Sequence, residues 1–377
     1  MKTAKLLAVV LGLCAVLAAP VEAQAPARAT VTPSTSAGRT AEARPRSTAE
    51  VIAAVDAVAR RYNLAGEVLV ARGSQVLLDR PYGTVRPGGG APHVAGERWR
   101  LASVTKQVTA ALIVRSLPLP MLDTAAAPMV EIRRDPAVSP GDPYPPFGDV
   151  TVRQLLTHHS GLFNPDTTPV GAGGVPGFYA ADPNGAGGTR LCWSKTSVAA
   201  APFSYNNCDY LVADAYMRRS GRPLAWPTGM AMARPDEIGV PGFVHGAPEP
   251  HFQLASWGAA GGLMGTARAV WAFDRSLMTG RLLPPAALAE LWRPEGHGSY
   301  QALGQWVFPG PLHGCAAPKR IVQRDGEIWG VQARNFILPD DGIAVVFFTN
   351  RSADDFTVGE VWQGRGFAYD LLSAAAC

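Results

Sequence analysis

Arg98-Trp-Arg-Leu-Ala-Ser-Val-Thr-Lys-Gln-Val-Thr-Ala-Ala-Leu112 holds a serine and a lysine three positions apart, with an apolar run directly behind them. If Ser103 opens a helix, Lys106 lies one turn along on the same face. The hydroxyl then sits at the positive end of the helix dipole, which favours developing negative charge. A lysine beside it, partly desolvated, binds its proton less tightly and can act as a base. Ser-x-x-Lys is thus a sufficient nucleophile–base pair. It is also what an N-cap serine followed by a solvated lysine would look like. The residues further along the chain decide between the two.

A second candidate element is Tyr205-Asn206-Asn207. In a tight turn its Tyr and second Asn can point into one cleft. The phenol could relay a proton and the amide could orient a substrate carbonyl. The bland alternative is an ordinary Asx turn. His158 and His159 are adjacent and so point apart, and no Cys or carboxylate cluster accompanies them, so His158 is expected to be structural and no metal is expected. There is no Gly-x-Ser-x-Gly elbow and no Gly-rich phosphate loop.

On these residues the chain resembles the serine β-lactamase and penicillin-binding-protein superfamily, particularly class C β-lactamases, D-amino-acid peptidases and related esterases. The matching blocks run in order from about Gly66 to Asn350. Gly66–Gly83 is similar to the opening hairpin, Arg100–Lys106 to the nucleophile motif, and Leu155–Leu162 to the block between motifs. Phe203–Asn207 is similar to the Tyr-x-Asn element. Pro227–Met230, Ala260–Leu263 and Pro339–Gly342 add to the likeness. The resemblance implies Ser103 as nucleophile, Lys106 as its base or proton partner, Tyr205 as proton relay and Asn207 as a substrate-carbonyl ligand. The division of labour between Lys106 and Tyr205 stays open.

The family's third motif, Lys-Thr-Gly or His-x-Gly, reads Arg324-Asp325-Gly326 here, with Gly330 four positions beyond. The resemblance makes these three substrate-binding and forms the oxyanion hole from the backbone N–H groups of Ser103 and Glu327. Arg324 keeps a positive charge but cannot give up a proton. Asp325 would oppose a substrate carboxylate, which lowers the expectation of β-lactam hydrolysis more than that of hydrolysis in general. Surface ion pairs are the alternative role for Arg324 and Asp325.

The rest of the sequence sets bounds. With 47% hydrophobic and 17% charged residues the chain reads as globular, and a net charge of +4 without a dense basic block argues against nucleic acid. Lys2 and Lys5 precede an apolar run, Leu6–Ala19, and Val21-Glu-Ala23, which reads as a signal peptide over 1–23. That run is short for a membrane anchor, which needs about 20 apolar residues. Cleavage leaves four cysteines in a periplasmic or secreted protein, with Cys192–Cys208 and Cys315–Cys377 the favoured disulfides among three pairings. Residues 24–46 read as a disordered leader and 47–377 as one domain.

Ser47 with Glu50 predicts a capped helix, and Glu67–Ala71 with Gln75–Leu78 a hairpin. The Ser103 helix should run to about Leu117. Asp135–Asp149 should be a proline-rich loop and Phe163–Arg190 a long surface loop, with Thr151-x-x-Gln154 capping a short helix between them. Helices are expected over Tyr210–Met217, Ala267–Met278 and Glu360–Ala374. Strands are expected over Gln305–Phe308, Arg320–Arg324, Val331–Leu338 and Ile343–Thr349. Strands at both ends with helices between predict an α+β fold: an antiparallel sheet built from both chain ends, flanked by helices, with an inserted helical lobe. The expected activity is that of a serine hydrolase working through an acyl-enzyme on a small ester, amide or peptide, without metal or cofactor. A catalytically silent cell-wall-peptide binder and a true class C-like β-lactamase are the alternatives.

Overall fold

In the computed structural model, which describes residues 46–126, 150–171, 173–180, 192, 201–295 and 299–377, the two ends of the chain share one sheet. The Ser47–Glu50 capping box opens α1 (Thr48–Arg61), and the hairpin follows as β1 (Gly66–Arg72) and β2 (Gln75–Tyr82). The short β3 (Trp99–Arg100) leads into α2 (Val104–Ser116). The middle of the chain supplies α3 (Val152–Leu156), α4 (Gly177–Ala180) and α5 (Asn207–Arg219). Short strands β4 (Ala231–Met232), β5 (Phe243–Val244) and β6 (Ala247–Pro248) come next. Then follow α6 (Gly258–Gly261), β7 (Leu263–Gly265), α7 (Ala267–Met278) and α8 (Pro285–Leu291). The chain returns to strands with β8 (Gln301–Ala302), β9 (Gln305–Gly310), β10 (Lys319–Ile328), β11 (Val331–Leu338) and β12 (Ile343–Thr349), and ends in α9 (Phe367–Ala376).

The main sheet runs β2-β1-β12-β11-β10-β9-β8, with every neighbouring pair antiparallel. All residues of β11 and β12 are buried, which requires cover on both faces. Alternation along the strands delivers it. Val346 and Phe348 join Leu69 and Ala333 in the core under α2 and the helical lobe. Val345 and Phe347 join Val68 and Phe336 in a second core under α1 and α9. The expected α+β architecture is therefore the one observed.

The central helix is α2. Every side chain from Val104 to Val114 is buried, as befits a helix enclosed on all sides. Its polar members are each satisfied: Thr109 Oγ1 donates to Ala259 O at 2.8 Å, Gln107 Nε2 to Gln305 Oε1 at 2.8 Å, and Leu263 N to Thr105 Oγ1 at 3.2 Å.

Several expectations need correction. The predicted terminal helix Glu360–Ala374 is two pieces, a 3-10 turn at Val361–Gln363 and then α9. Gly364 (φ 66°) and Gly366 (φ 99°) take left-handed backbone between them, and this ends the helical run. Strand β10 is longer than predicted and carries Arg324-Asp325-Gly326 within it. The loop from Phe163 contains a 3-10 turn at Pro165–Thr167 as well as α4. The signal peptide, most of the leader, the Asp135–Asp149 loop and residues 181–190 lie outside the described residues.

Candidate active site

Ser103 sits at the N-cap of α2 but does not cap it: its side chain makes no bond to the helix backbone. Its Oγ instead meets Tyr205 OH at 2.5 Å and Lys106 Nζ at 3.1 Å. Lys106 is wholly buried, and its Nζ also donates to Asn207 Oδ1 at 2.6 Å and Ala260 O at 2.8 Å. The bland reading, a capping serine and a solvated lysine, is thereby excluded. Ala102, just before the nucleophile position, is held at φ 45°, an unfavourable backbone for a residue with a Cβ.

Burial, with Arg324 nearby, pushes the Lys106 ammonium well below the ordinary lysine range. A neutral amine has two N–H bonds and one lone pair. Asn207 and Ala260 accept the two, which leaves the lone pair for the Ser103 hydroxyl. Burial raises the Tyr205 phenol, only partly offset by Arg324 and the Ser103 hydrogen bond, so Tyr205 is a proton donor at neutral pH. Arg324 Nη2 donates to Tyr205 OH at 3.0 Å and Nε to Ser103 O at 3.0 Å. The result is a continuous wire from Arg324 through Tyr205 and Ser103 to Lys106.

Tyr205 and Asn207 reach the wire because α5 starts between them. Asn206 caps the helix, its Oδ1 accepting from Cys208 N at 2.8 Å. Asn207 is the first helical residue, which corrects the expectation that it lies in a tight turn. Cys208 is joined to Cys192, and Cys315 to Cys377. His158 is structural, as expected. Its Nδ1 meets Asp209 Oδ2 at 2.9 Å and its ring lies 4.7 Å from that of Tyr205, backing the phenol. Burial favours the neutral form of both His158 and Asp209.

Arg324 and Gly326 of the third motif also meet Ser103, while Asp325 pairs with Arg334 at 3.1 Å. Arg324 is 1% exposed, and its guanidinium lies 4.9 Å from the Trp306 ring centre. β9 pairs with β10 only as far as Gln323, so from Arg324 onward that edge of β10 is open toward α2. A Cβ on Gly326 would fall 2.5 Å from Leu101 O and 3.0 Å from Ser103 N, which explains the glycine. Ser103 N–H takes no acceptor among the described residues.

The cavity in front of Ser103 has a volume of about 410 Å³. Sequence reading missed several of its residues. Asp166 accepts from Asn207 Nδ2 at 3.1 Å and from Tyr179 OH. Trp257 stacks on Tyr179 at 3.7 Å, and Trp329 packs edge-on to Trp257. Glu360, expected inside a helix, lines the cavity from the turn before α9. No local signal marked these residues, since they reach the site from segments far apart in the chain: Asp166 and Tyr179 from the loop after Phe163, Trp257 and Trp329 from two later turns, and Glu360 from the turn before α9. No group of His, Cys, Asp and Glu suited to a metal occurs among the described residues.

The profile of the Beta-lactamase family matches residues 48–366. The chain belongs to the beta-lactamase family. No curated protein matches it by sequence. Solved structures similar to this beta-lactamase-family protein include a D-amino acid amidase from Ochrobactrum anthropi SV3 complexed with D-phenylalanine (TM-score 0.65, 18% identity, covering 86% of this chain and 98% of that one). A D-stereospecific amidohydrolase from Streptomyces sp. has a TM-score of 0.61 and 21% identity over 88% of this chain and 99% of its own. EstCE1, a hydrolase with promiscuous acyltransferase activity, has a TM-score of 0.64 and 18% identity over 87% and 99%. At these identities the likeness is one of fold.

Proposed function

We propose that the protein is an exported serine hydrolase that cleaves an ester or amide through an acyl-enzyme. The observation that carries this is the Ser103 hydroxyl, set between a buried, deprotonation-prone Lys106 at 3.1 Å and the Tyr205 phenol at 2.5 Å. Lys106 takes the Ser103 proton as Oγ attacks the carbonyl. The N–H groups of Ser103 and Glu327 hold the oxyanion. Tyr205 protonates the leaving group, and Asn207 orients the substrate carbonyl. Water then gives a proton to the Tyr205 phenolate as it attacks the acyl-enzyme, and Lys106 returns its proton to Oγ as the acid leaves. Export rests on the signal-like residues 1–23 and on the two disulfides; residues 24–46 act as leader and 47–377 as the hydrolase domain. The D-amino acid amidase and the hydrolase with promiscuous acyltransferase activity, both of similar fold, support an acyl substrate such as an amide or ester. Asp325 in the cavity wall opposes a carboxylated antibiotic and so favours such substrates over β-lactams.

Intact mass after exposure to a fluorophosphonate tests the reading. One adduct on the wild type and none on Ser103→Ala is expected. An unlabelled but folded wild type would overturn it in favour of a silent binder.

A further inference from the structure

A carboxylate that the proposed reaction does not use joins three separate segments of the chain. Both oxygens of Glu249 accept from Arg100 Nη2, Oε1 at 2.6 Å. Oε1 also accepts from Gly242 N at 2.9 Å, and Oε2 from Gly330 N at 3.0 Å. Arg100 belongs to β3, three residues before Ser103, and Gly330 to the turn between β10 and β11. Both charged side chains are buried. The two glycines permit the approach: a Cβ on Gly242 would collide with Glu249 Oε2 and Arg100 Nη2, and one on Gly330 with Phe243 N. Buried pairs of this kind add little net stability, because desolvation offsets their attraction. The role of this one lies in what it holds in place.

The turn it holds is strained. Ile328 pairs with Val331, so Trp329 and Gly330 form a two-residue hairpin turn. Trp329 takes the first position at φ 45°, a backbone that bulky residues avoid. The glycine stands one place later, where the approach to Gly242 and Phe243 needs it. The Trp329 ring stacks on Phe252 at 5.0 Å, and the Arg100 guanidinium lies 5.1 Å from the centre of the Phe252 ring. Arg100 therefore reaches the turn twice, through Glu249 to Gly330 N and through Phe252 to the Trp329 ring.

We propose that Arg100 and Glu249 are positioning residues for the oxyanion hole. The inference rests on the hydrolase reading, in which the N–H groups of Ser103 and Glu327 hold the oxyanion. Ser103 follows directly on the segment that Arg100 anchors. Glu327 stands near the end of β10, where the strand has lost β9 as a neighbour. On one side of Glu327, Arg324 and Gly326 brace β10 against Ser103 and Leu101. On the other side the brace is Glu249 at Gly330. The separation of the two donors is set by both braces, and the second also keeps Trp329, a cavity wall, in its strained backbone.

The rate of labelling by a fluorophosphonate tests the assignment, because its P=O oxygen takes the oxyanion position. Glu249→Asp keeps a charge for Arg100 but is one methylene too short to hold Gly330 N as well. Well below its melting temperature it should label about 10²-fold more slowly than the wild type. Phenylboronic acid, whose tetrahedral adduct on Ser103 uses the same two donors, should bind more weakly by a similar factor. The loss should be equal at every pH, with the limb set by Lys106 unmoved, because the proton wire is untouched. If Glu249→Asp does not fold, Arg100→Lys, which keeps the charge but has no planar face for Phe252, should show the same pattern. A variant that only melts lower and labels at the wild-type rate would overturn the proposal. So would slow labelling with the pH limb displaced or the boronate affinity unchanged. Failure of the hydrolase reading shows separately, as no adduct on the wild type.

Discussion

The two walls of the cavity are built on opposite principles. On the α2 and α5 side the polar groups that face Ser103 are partnered: Lys106 with Asn207 and Ala260, Asn207 with Asp166 and Tyr179. On the β10 side Asp325, Glu327 and Glu360 face one Arg334, and Gln323 Oε1 is orphaned. The satisfied wall is rigid and holds a proton path in place. The other sets three carboxyls against one guanidinium, and burial there raises Glu360 and Glu327.

The sharpest way to break that comparison is Lys106→Met, which should lower the acylation rate about 10³-fold while the protein still folds. Lys106→Arg should lose as much, because a guanidinium stays charged. In the wild type, kcat/KM for a neutral ester should rise with pH along a limb lying well below the ordinary lysine value of 10.5. A limb near that value would show that Lys106 is not the base.

A smaller effect is expected where the walls meet. Gly326→Ala puts a Cβ against Leu101 O and Ser103 N. It should destabilise the protein by about 1–3 kcal/mol. The displaced Ser103 should acylate about 10²-fold more slowly, as stopped-flow acylation and thermal melts would show.

The smallest effect sharpens the contrast through stability alone. Glu360 holds its proton up to about 8 in the fold against 4.5 for a free side chain, facing Asp325, Gln323 and Glu327 of β10 and Arg334 of β11. Its stabilising contribution is complete below pH 4.5 and is lost as pH rises through about 8. Melting temperature should therefore fall over that window in the wild type, and fall less in Glu360→Gln. Glu327, raised by burial too, keeps part of the slope. Identical slopes in the two proteins would mean that the acidic wall is not charge-strained.

Much of this molecule is written locally. Ser103 and Lys106 face each other because they are one helical turn apart, and the capping boxes at Ser47 and Thr151 set helix starts within four residues of sequence. Alternation along Val331–Leu338 and Ile343–Thr349 marks strands whichever sheet receives them. The left-handed glycines at 364 and 366 were visible as residues, but a predicted helix ran through them because only the packed chain shows their backbone.

What the sequence by itself determined was the order of these elements and the chemistry of single short motifs, since both depend on neighbours a few residues apart. Tertiary structure alone decided that Asp166 reaches Asn207, that Glu360 stands beside Asp325, and that β10 opens an edge to Ser103 past Gln323. Those meetings join residues up to more than two hundred positions apart. They set burial and charge balance, and therefore the proton affinities of Lys106 and Glu360. Both quantities belong to the assembled cavity and to no stretch of chain.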